Sequence, residues 1–183
     1  MWRNLAELGR LCHHQIMKRF ADTIERLNTI IGRGAAWLVL AIVVLQFALV
    51  LARYVFGLGS IWLTETVIYG HAMLFLLASA WTLGAGGHVR VDILYADAAP
   101  RTRAIVDLAG ALLLLLPFAL VLLWLSAPYA ARSWAVLERS QETSGLPLVF
   151  ALKTLIPVFA VIMALQGAAQ AIRAFQALTG KSR

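Results

Sequence analysis

Charged residues and cysteine are both scarce in this sequence. Of its 183 residues only 14% are charged and 61% are hydrophobic, whereas a soluble domain carries about 25% charged and about 45–50% apolar residues. Such a surplus of apolar side chains needs lipid around it, so the composition excludes an ordinary soluble domain and indicates an integral membrane protein. The single cysteine, Cys12, excludes an internal disulfide and a metal site built from cysteines.

Acidic side chains are missing from the middle of every long apolar run. Ion-coupled transporters usually bury carboxylates or unwind helices at the middle of the bilayer, but Glu65 and Asp107 lie at or near the ends of the runs. His71 is the one histidine inside a run, so paired haem ligands are lacking as well, and it is expected to be packed or hydrogen-bonded rather than a ligand. No phosphate-binding loop, nucleophile constellation or metal-ligand spacing occurs. We therefore expect no catalytic residues, no cofactor and no metal, and no enzyme activity.

Four apolar stretches are long enough to cross a bilayer, which takes about 20 residues in a helix. They are residues 34–52, 66–87, 108–131 and 154–172, and none of them contains Asp, Glu, Lys or Arg. Because backbone polar groups have no water partners in hydrocarbon, each should be helical. Proline removes a helical hydrogen bond, so Pro117, in the interior of the third stretch, should bend its helix, whereas Pro157 lies near the start of the fourth.

The first 33 residues form a basic amphipathic segment. Apolar side chains recur there at every third or fourth position, which predicts a helix, and basic residues lie on its other face. Such a helix either lies in the membrane interface or packs its apolar stripe on a partner protein, and the sequence leaves both open. The stripe consists of Leu5, Leu8, Cys12, Ile16, Phe20, Ile24, Leu27 and Ile31.

The predicted fold class is therefore all-α: an integral membrane four-helix protein with an N-terminal amphipathic interfacial helix. Its parts are the helix at residues 1–33, the four-transmembrane-helix domain at 34–176 and a cytoplasmic tail at 177–183. Of the 16 Lys and Arg residues, 12 lie before the first span, between the second and third, or after the fourth. Since cytoplasmic segments carry the excess of Lys and Arg, both termini should be cytoplasmic. The net charge of +7 then sets topology, and no nucleic-acid partner is expected.

Small residues cluster at the predicted cytoplasmic ends of all four spans. Because glycine and alanine let helix backbones approach closely in lipid, we expect the helices to converge at this end. The clusters are residues 34–36, 84–87, 109–111 and 167–169.

A series of short motifs follows the spans in order. The sharpest is residues 87–95, Gly-His-Val-Arg-Val-Asp-Ile-Leu-Tyr. In this order the motifs resemble the small membrane subunit, DctQ type, of tripartite ATP-independent periplasmic (TRAP) transporters, over about residues 34–173. The chain departs from the family at Thr64, where a second acid beside Glu65 is common. The other motifs are residues 53–56, Trp62 with Glu65, residues 100–103, Trp124, Pro128-Tyr129, Ser133-Trp134, residues 145–147, Lys153, Pro157 and residues 165–167.

The resemblance implies a helper subunit that holds part of a large permease fixed while another part moves. It also implies two protein partners, beside membrane lipid. One is the large membrane permease subunit, with the substrate and sodium sites, and the other is a periplasmic binding protein that delivers an organic acid. The implied location is a bacterial inner (cytoplasmic) membrane, in multi-pass form. Dicarboxylates, keto acids and sugar acids all remain open as substrates.

We predict a subunit interface on the residues that carry the motifs. One or both of Glu65 and Arg53 should bond polar groups of the turn at 57–60 or of the large subunit. Apolar residues alternate with Arg90 and Asp92, which favours a segment half buried against the large subunit over a solvated loop. The predicted interface residues are Arg53, Trp62, Glu65, His88, Arg90, Asp92, Pro147, Lys153 and Pro157.

The alternative function is a membrane-anchor subunit of a redox or other membrane complex. Bound haem or flavin in the purified chain would favour this alternative over the transporter subunit.

Overall fold

The chain is almost entirely helical in the computed structural model, which describes residues 2–88 and 98–179, with side chains for 15–88 and 98–179. Helix α1 spans Trp2–Val55, α2 Ile61–Gly84, α3 Pro100–Gly110, α4 Leu116–Ala135 and α5 Val149–Thr179. A π-helical turn, Ala111–Leu115, joins α3 to α4 into one long rod. Within the described residues, four helical segments are long and apolar enough to cross a membrane. The predicted all-α, four-span fold is confirmed.

Local sequence explains where α2 begins and ends. Its N-cap is Ser60, whose hydroxyl accepts a hydrogen bond from the Leu63 backbone N–H at 3.3 Å. At the other end Gly86 has a φ of 71°, a left-handed conformation that glycine adopts without penalty. The Gly87 N–H then donates to the Thr82 carbonyl at 2.8 Å, which caps the helix. Helix α2 therefore ends at Gly84, earlier than the predicted residue 87.

The third span is irregular where proline disturbs it. Pro117 lies in the first turn of α4, directly after the π-helical turn. Proline cannot donate a hydrogen bond to the carbonyl of the preceding turn, and a π-helical turn is one way to accommodate the interrupted pattern. We expected a bend at Pro117, and the structure shows a π-helical turn just before it. Pro128 also lies inside α4, and Pro157 inside α5.

Helix α1 continues without a break through residues 32–34. We expected a separate interfacial helix ending near residue 33, but glycine is tolerated here because Gly32 packs against α2. A Cβ at Gly32 would lie only 2.7 Å from Trp81 Cγ, so close tertiary packing outweighs the low helix propensity of glycine. The placement of residues 1–33 in the membrane interface stays a prediction.

Most of the described residues of the apolar stripe of α1 face away from the other helices. Ile16, Phe20 and Leu27 are more than half exposed, whereas Ile24 of the same stripe is buried with Ala21 against α5. The exposed part of the stripe is therefore free to meet lipid or a partner protein, and the choice between these two predictions stays open.

Helix α5 is the centre of the fold, since it contacts each of the other helices. Ala80 of α2, Ala119 of α4 and Ile162 with Met163 of α5 form one buried cluster. Ala169 of α5 forms a second buried cluster with α1. These contacts rest on small residues, as expected for helices that pack in lipid.

The helices approach each other closely at some of the clusters of small residues, as expected, but not at all of them. A Cβ at Gly84 would lie 2.8 Å from Gln166 Nε2, and one at Gly167 would lie 2.9 Å from Leu115 Cδ2. At Gly34 and Gly110 a Cβ would meet no heavy atom within 4 Å. Two of the four clusters therefore place a glycine in a close helix contact, and two do not.

Candidate functional site

The loop between α4 and α5 is tied to the start of α2 by one carboxylate. Glu65 projects from the first turns of α2, where its Oε1 accepts a hydrogen bond from the Ser140 hydroxyl. Its Oε2 accepts one from the Leu146 backbone N–H at 2.5 Å. A carboxylate accepts such bonds more strongly than a neutral group does, so Glu65 fixes both ends of the loop segment between Ser140 and Leu146.

Gly145 makes this arrangement possible. A Cβ at this position would lie 2.8 Å from Glu65 Oε1 and would also collide with the Ser140 side chain. Both neighbours are held by the hydrogen bond that they share, so neither can move away without breaking it. Leu146, next in the chain, is buried, which anchors the loop on its apolar side.

A second carboxylate joins the end of α4 to the start of α5. Lys153 Nζ donates to Glu138 at 2.8 Å and 2.6 Å, and the Ser133 hydroxyl donates to Glu138 Oε2 at 2.7 Å. The Lys153 ammonium also lies 4.3 Å from the centroid of the Tyr129 ring, within cation–π range. The hydrogen bonds from Lys153 and Ser133 lower the pKa of Glu138 below its ordinary value.

Backbone geometry after α4 directs Glu138 toward these partners. Leu137 has a φ of 45°, in the left-handed region that most side chains avoid. The Glu138 N–H then donates to the Ser133 carbonyl at 3.0 Å, and the Leu137 N–H donates to the Trp134 carbonyl at 3.2 Å. This is a Schellman cap, and it turns the chain back over the end of α4. We call Glu65, Ser133, Glu138, Ser140, Leu146 and Lys153 the loop clasp.

Trp134 adds a contact between α4 and α5 beside the loop clasp. Its indole N–H donates to the Thr154 hydroxyl at 2.7 Å. Its ring also packs edge-on against Phe150, with ring centroids 4.5 Å apart. An indole offers an apolar ring and one donor, which suits a site between lipid and water.

A different set of polar contacts joins the helices at the opposite end, which holds the chain termini. Asn28 of α1 donates from Nδ2 to Gln166 Oε1 of α5 at 2.7 Å, and both side chains are buried. Gln170 Nε2 donates to the Leu83 carbonyl at 3.3 Å, so α5 also bonds the end of α2. Buried side-chain amides require such partners, since an unpaired one is costly.

Arg173 extends this set toward the end of α5. Its guanidinium donates to the Glu25 carboxylate and lies 3.0 Å from Asp22 Oδ1. The Arg173 side chain is 45% exposed, and salt bridges of this kind contribute modestly because water screens them. We call Asp22, Glu25, Asn28, Gln166, Gln170 and Arg173 the terminal clasp.

Comparison with known proteins identifies the family of this four-helix chain. The sequence model of one protein family, described as the DctQ component of tripartite ATP-independent periplasmic transporters, matches residues 18–177. The chain belongs to the DctQ family. It is therefore a multi-pass membrane protein and the small membrane subunit of a TRAP transporter. No curated protein and no solved structure matches it. Between the two functions that the sequence left open, the family match supports the transporter subunit.

Some predicted interface residues of this DctQ subunit make contacts within the chain. Glu65 and Lys153 both belong to the loop clasp, and Pro147 lies in the loop that Glu65 fixes. One or both of Glu65 and Arg53 are expected to bond the turn at 57–60 or the large subunit, and this stays a prediction; within the chain Glu65 bonds the α4–α5 loop.

The other predicted interface residues lie apart from the loop clasp or outside the described part. Arg53 is exposed and forms no ion pair within the described residues. Trp62 is half exposed, His88 is exposed beyond the end of α2, and Pro157 is partly buried inside α5. Arg90 and Asp92 lie outside the described residues. His71 is hydrogen-bonded as expected, with Nδ1 2.9 Å from the Val67 carbonyl oxygen.

Sequence reasoning missed several residues of the two clasps of this DctQ chain. Asn28 interrupts an apolar helix face and Gln166 interrupts an apolar span, and an isolated amide in such a place is a signal of pairing. Ser140 and Glu138 offered no comparable signal, since a polar residue in a connecting loop is ordinary.

Proposed function

We propose that this DctQ subunit is a scaffold, without enzyme activity, for a large permease subunit that carries the sodium and substrate sites for organic-acid uptake. In this proposal a periplasmic binding protein delivers the organic acid, and the small subunit holds the fixed part of the permease. The supporting observation is that α5 is joined by polar contacts at both of its ends. One end is bonded to the α4–α5 loop and α4, and the other to α1 and α2.

Bracing at both ends suits a scaffold for a physical reason. Apolar helices in lipid gain little by exchanging lipid contacts for helix contacts, so packing and hydrogen bonds determine which helices are neighbours. A helix bonded at one end only could pivot, whereas α5 has partners near Lys153 and again near Gln166 and Arg173. Four helices held in this way can resist force from a moving partner.

The outward surface offers a large apolar area for that partner. Trp37 and Phe47 of α1 and Phe118 and Trp124 of α4 are each more than half exposed. We propose that the permease covers part of this surface and that membrane lipid covers the rest.

Arg53 is the best-placed polar contact for the permease at the loop end. It lines a groove of about 660 Å³ together with Thr64, Glu65 and Glu142. Glu65 is engaged in the loop clasp, so an acidic group of the partner can pair with the exposed Arg53 guanidinium. We propose the same interface role for Trp62, His88, Arg90, Asp92, Pro147, Lys153 and Pro157.

We propose that the subunit lies in the bacterial inner membrane with both termini cytoplasmic, because basic residues concentrate at the terminal end. Single cysteines at Gln141 and Thr102, in a chain with Cys12→Ser, test the orientation in intact cells. An impermeant thiol reagent should label the first from outside and leave the second unlabelled. Labelling of Thr102→Cys alone would reverse the proposed orientation.

Reconstitution tests the scaffold function. Liposomes that contain both membrane subunits, supplied with the binding protein, should take up an organic acid when a sodium gradient is imposed. A panel of dicarboxylates, keto acids and sugar acids would identify the substrate class. Liposomes with the small subunit alone should show no uptake. Uptake by the small subunit alone, or full uptake by the permease without it, would contradict the scaffold function.

A further inference from the structure

Gln166 lines two cavities near the terminal end of the bundle. The larger, about 410 Å³, is lined by residues of α1, α2, α3 and α5, and the smaller, about 140 Å³, lies between α1, α2 and α5. Glu25, Gly84 and Gln166 line both of them. A single water needs only about 10–15 Å³ of such space, so both cavities can hold small molecules.

Only one of the two polar atoms of the Gln166 side chain has a hydrogen-bond partner among the described residues. Its Oε1 accepts from Asn28 Nδ2 at 2.7 Å, but its Nε2 has no hydrogen-bond partner among the described residues. The side chain is 1% exposed. Leaving a buried donor unpaired is costly, so this N–H group requires an acceptor from within the cavities.

Gly84 packs directly against this donor. A Cβ at Gly84 would lie 2.8 Å from Gln166 Nε2, so any larger residue would press on the amide. Gly84 and Gln166 both line each of the two cavities.

The charges around the cavities indicate the class of ligand. The larger cavity is lined by two guanidinium groups, from Arg103 and Arg173, and two carboxylates, from Glu25 and Asp107. Their formal charges cancel, and each of the four already has a partner within the protein. Neither an anion nor a cation is therefore required, and what the donor needs is a small neutral acceptor of hydrogen bonds.

We propose that ordered water fills these cavities and accepts a hydrogen bond from Gln166 Nε2. The terminal end of the subunit then contains a hydrated cleft that reaches the Asn28–Gln166 pair from the aqueous side. Water in this position accepts the hydrogen bond that the Nε2 group of Gln166 otherwise lacks. A buried water commonly makes about three hydrogen bonds to such unsatisfied groups. The junction of α1, α2 and α5 is a hydrated polar joint rather than a dry apolar contact.

Nuclear magnetic resonance tests the proposed hydrogen bond directly. The full-length chain is labelled with ¹⁵N-glutamine and placed in lipid bilayers, and its side-chain amide signals are recorded with transfer from water protons. The Gln166 signal is identified by its loss in Gln166→Met. It should show a cross-peak with water. A cross-peak with lipid protons instead, or with neither, would overturn the proposal.

Thiol reactivity tests the hydrated cleft without altering Gln166. Single cysteines are placed at Ala104 and Ala174, which line the larger cavity, and at Ala169 as a matched control. Ala169 lies on α5 between Gln166 and Ala174, is 0% exposed and packs against α1. The chain carries Cys12→Ser and sits in nanodiscs that expose both faces to a charged methanethiosulfonate reagent.

Both cavity cysteines should react at least about tenfold faster than the control, because thiolate formation is disfavoured in dry apolar surroundings. Equal, slow reaction at all three positions would show that lipid or protein fills the space, and the proposal would fail. Neither measurement depends on transport, so the scaffold function can fail while the hydrated cleft stands, and the reverse is equally possible.

Discussion

Replacing Glu65 with glutamine tests how much the loop clasp contributes to the stability of the fold. The carboxylate accepts two hydrogen bonds, one on each oxygen, from Ser140 and from the Leu146 backbone. Glutamine keeps the shape of the side chain but has one acceptor oxygen, which can still accept from the Leu146 N–H. Its NH₂ group then faces the Ser140 hydroxyl, so this hydrogen bond has to reverse its direction, and both bonds lose the charge of the carboxylate.

The magnitude follows from the character of these bonds. A hydrogen bond to a charged group contributes about 1.5–3 kcal/mol. The site is only partly buried, which keeps the expected loss toward the lower part of this range. We expect Glu65→Gln to lower the free energy of unfolding by about 1–2 kcal/mol and to expose the α4–α5 loop. Melting of the purified subunit in detergent measures the first effect, and limited proteolysis at Arg139 measures the second.

Glu142→Gln is a matched control for this substitution. It removes the same charge from an exposed position in the same loop, and the contact of Glu142 with Ser140 is made by its backbone N–H, which the substitution leaves unchanged. It should leave both stability and proteolysis near those of the parent. If Glu65→Gln were as stable and as resistant to protease as Glu142→Gln, the charge of Glu65 would contribute nothing to this loop and the bracing role of the carboxylate would be wrong.

Three further substitutions probe the remaining contacts. The pKa of Glu138 is lowered in the folded chain. The carboxylate therefore stabilises the fold above its ordinary pKa of 4.5, and this contribution is lost as the pH falls through the lowered pKa. The melting temperature of Glu138→Gln should accordingly depend less on pH below 4.5 than that of the parent. Gly84→Ala should destabilise by about 1–3 kcal/mol through overpacking against Gln166, whereas Gly34→Ala, with open space around it, should be neutral or stabilising in the same melting assay. Arg173→Gln should lower the free energy of unfolding by less than about 1 kcal/mol, because the ion pair is half exposed. It should also speed tryptic cleavage of α1 near Asp22 and Glu25; unchanged cleavage would show that the ion pair does not hold this part of the helix.

The spans could be predicted because lipid imposes a simple rule on sequence. A run of about 20 apolar residues can only be a helix in hydrocarbon, and each predicted span lies largely within an observed helix. The ends were less accurate, because caps decide them. Gly86, in its left-handed conformation, ends α2 after Gly84, and nothing in the apolar pattern distinguishes the glycines at 84, 86 and 87.

The partners of the polar side chains could not be predicted for a different reason. Glu65 bonds residues 75 and 81 positions away, and Asn28 bonds one 138 positions away. Periodicity describes one helix at a time, and it does not tell how two helices are rotated against each other. For the same reason the apolar stripe does not tell which of its residues pack on α5, since Ile24 of the stripe is buried and Phe20 of the stripe is exposed.

The two clasps differ in ways that suit their two ends of the bundle. The loop clasp uses two carboxylates and an ammonium group at the ends of helices, where water can reach the charges. The terminal clasp includes a buried pair of neutral amides, Asn28 and Gln166, which cost far less to remove from water than charges do.

Alanine contacts such as Ala21 with Ala169 fit many helix pairs equally well. A hydrogen bond between two specific amides fits only one register, so the amide pair determines where α1 meets α5 along its length. The proposed scaffold function requires this selectivity, because a small subunit whose helices could slide past each other would give way under force from a moving partner.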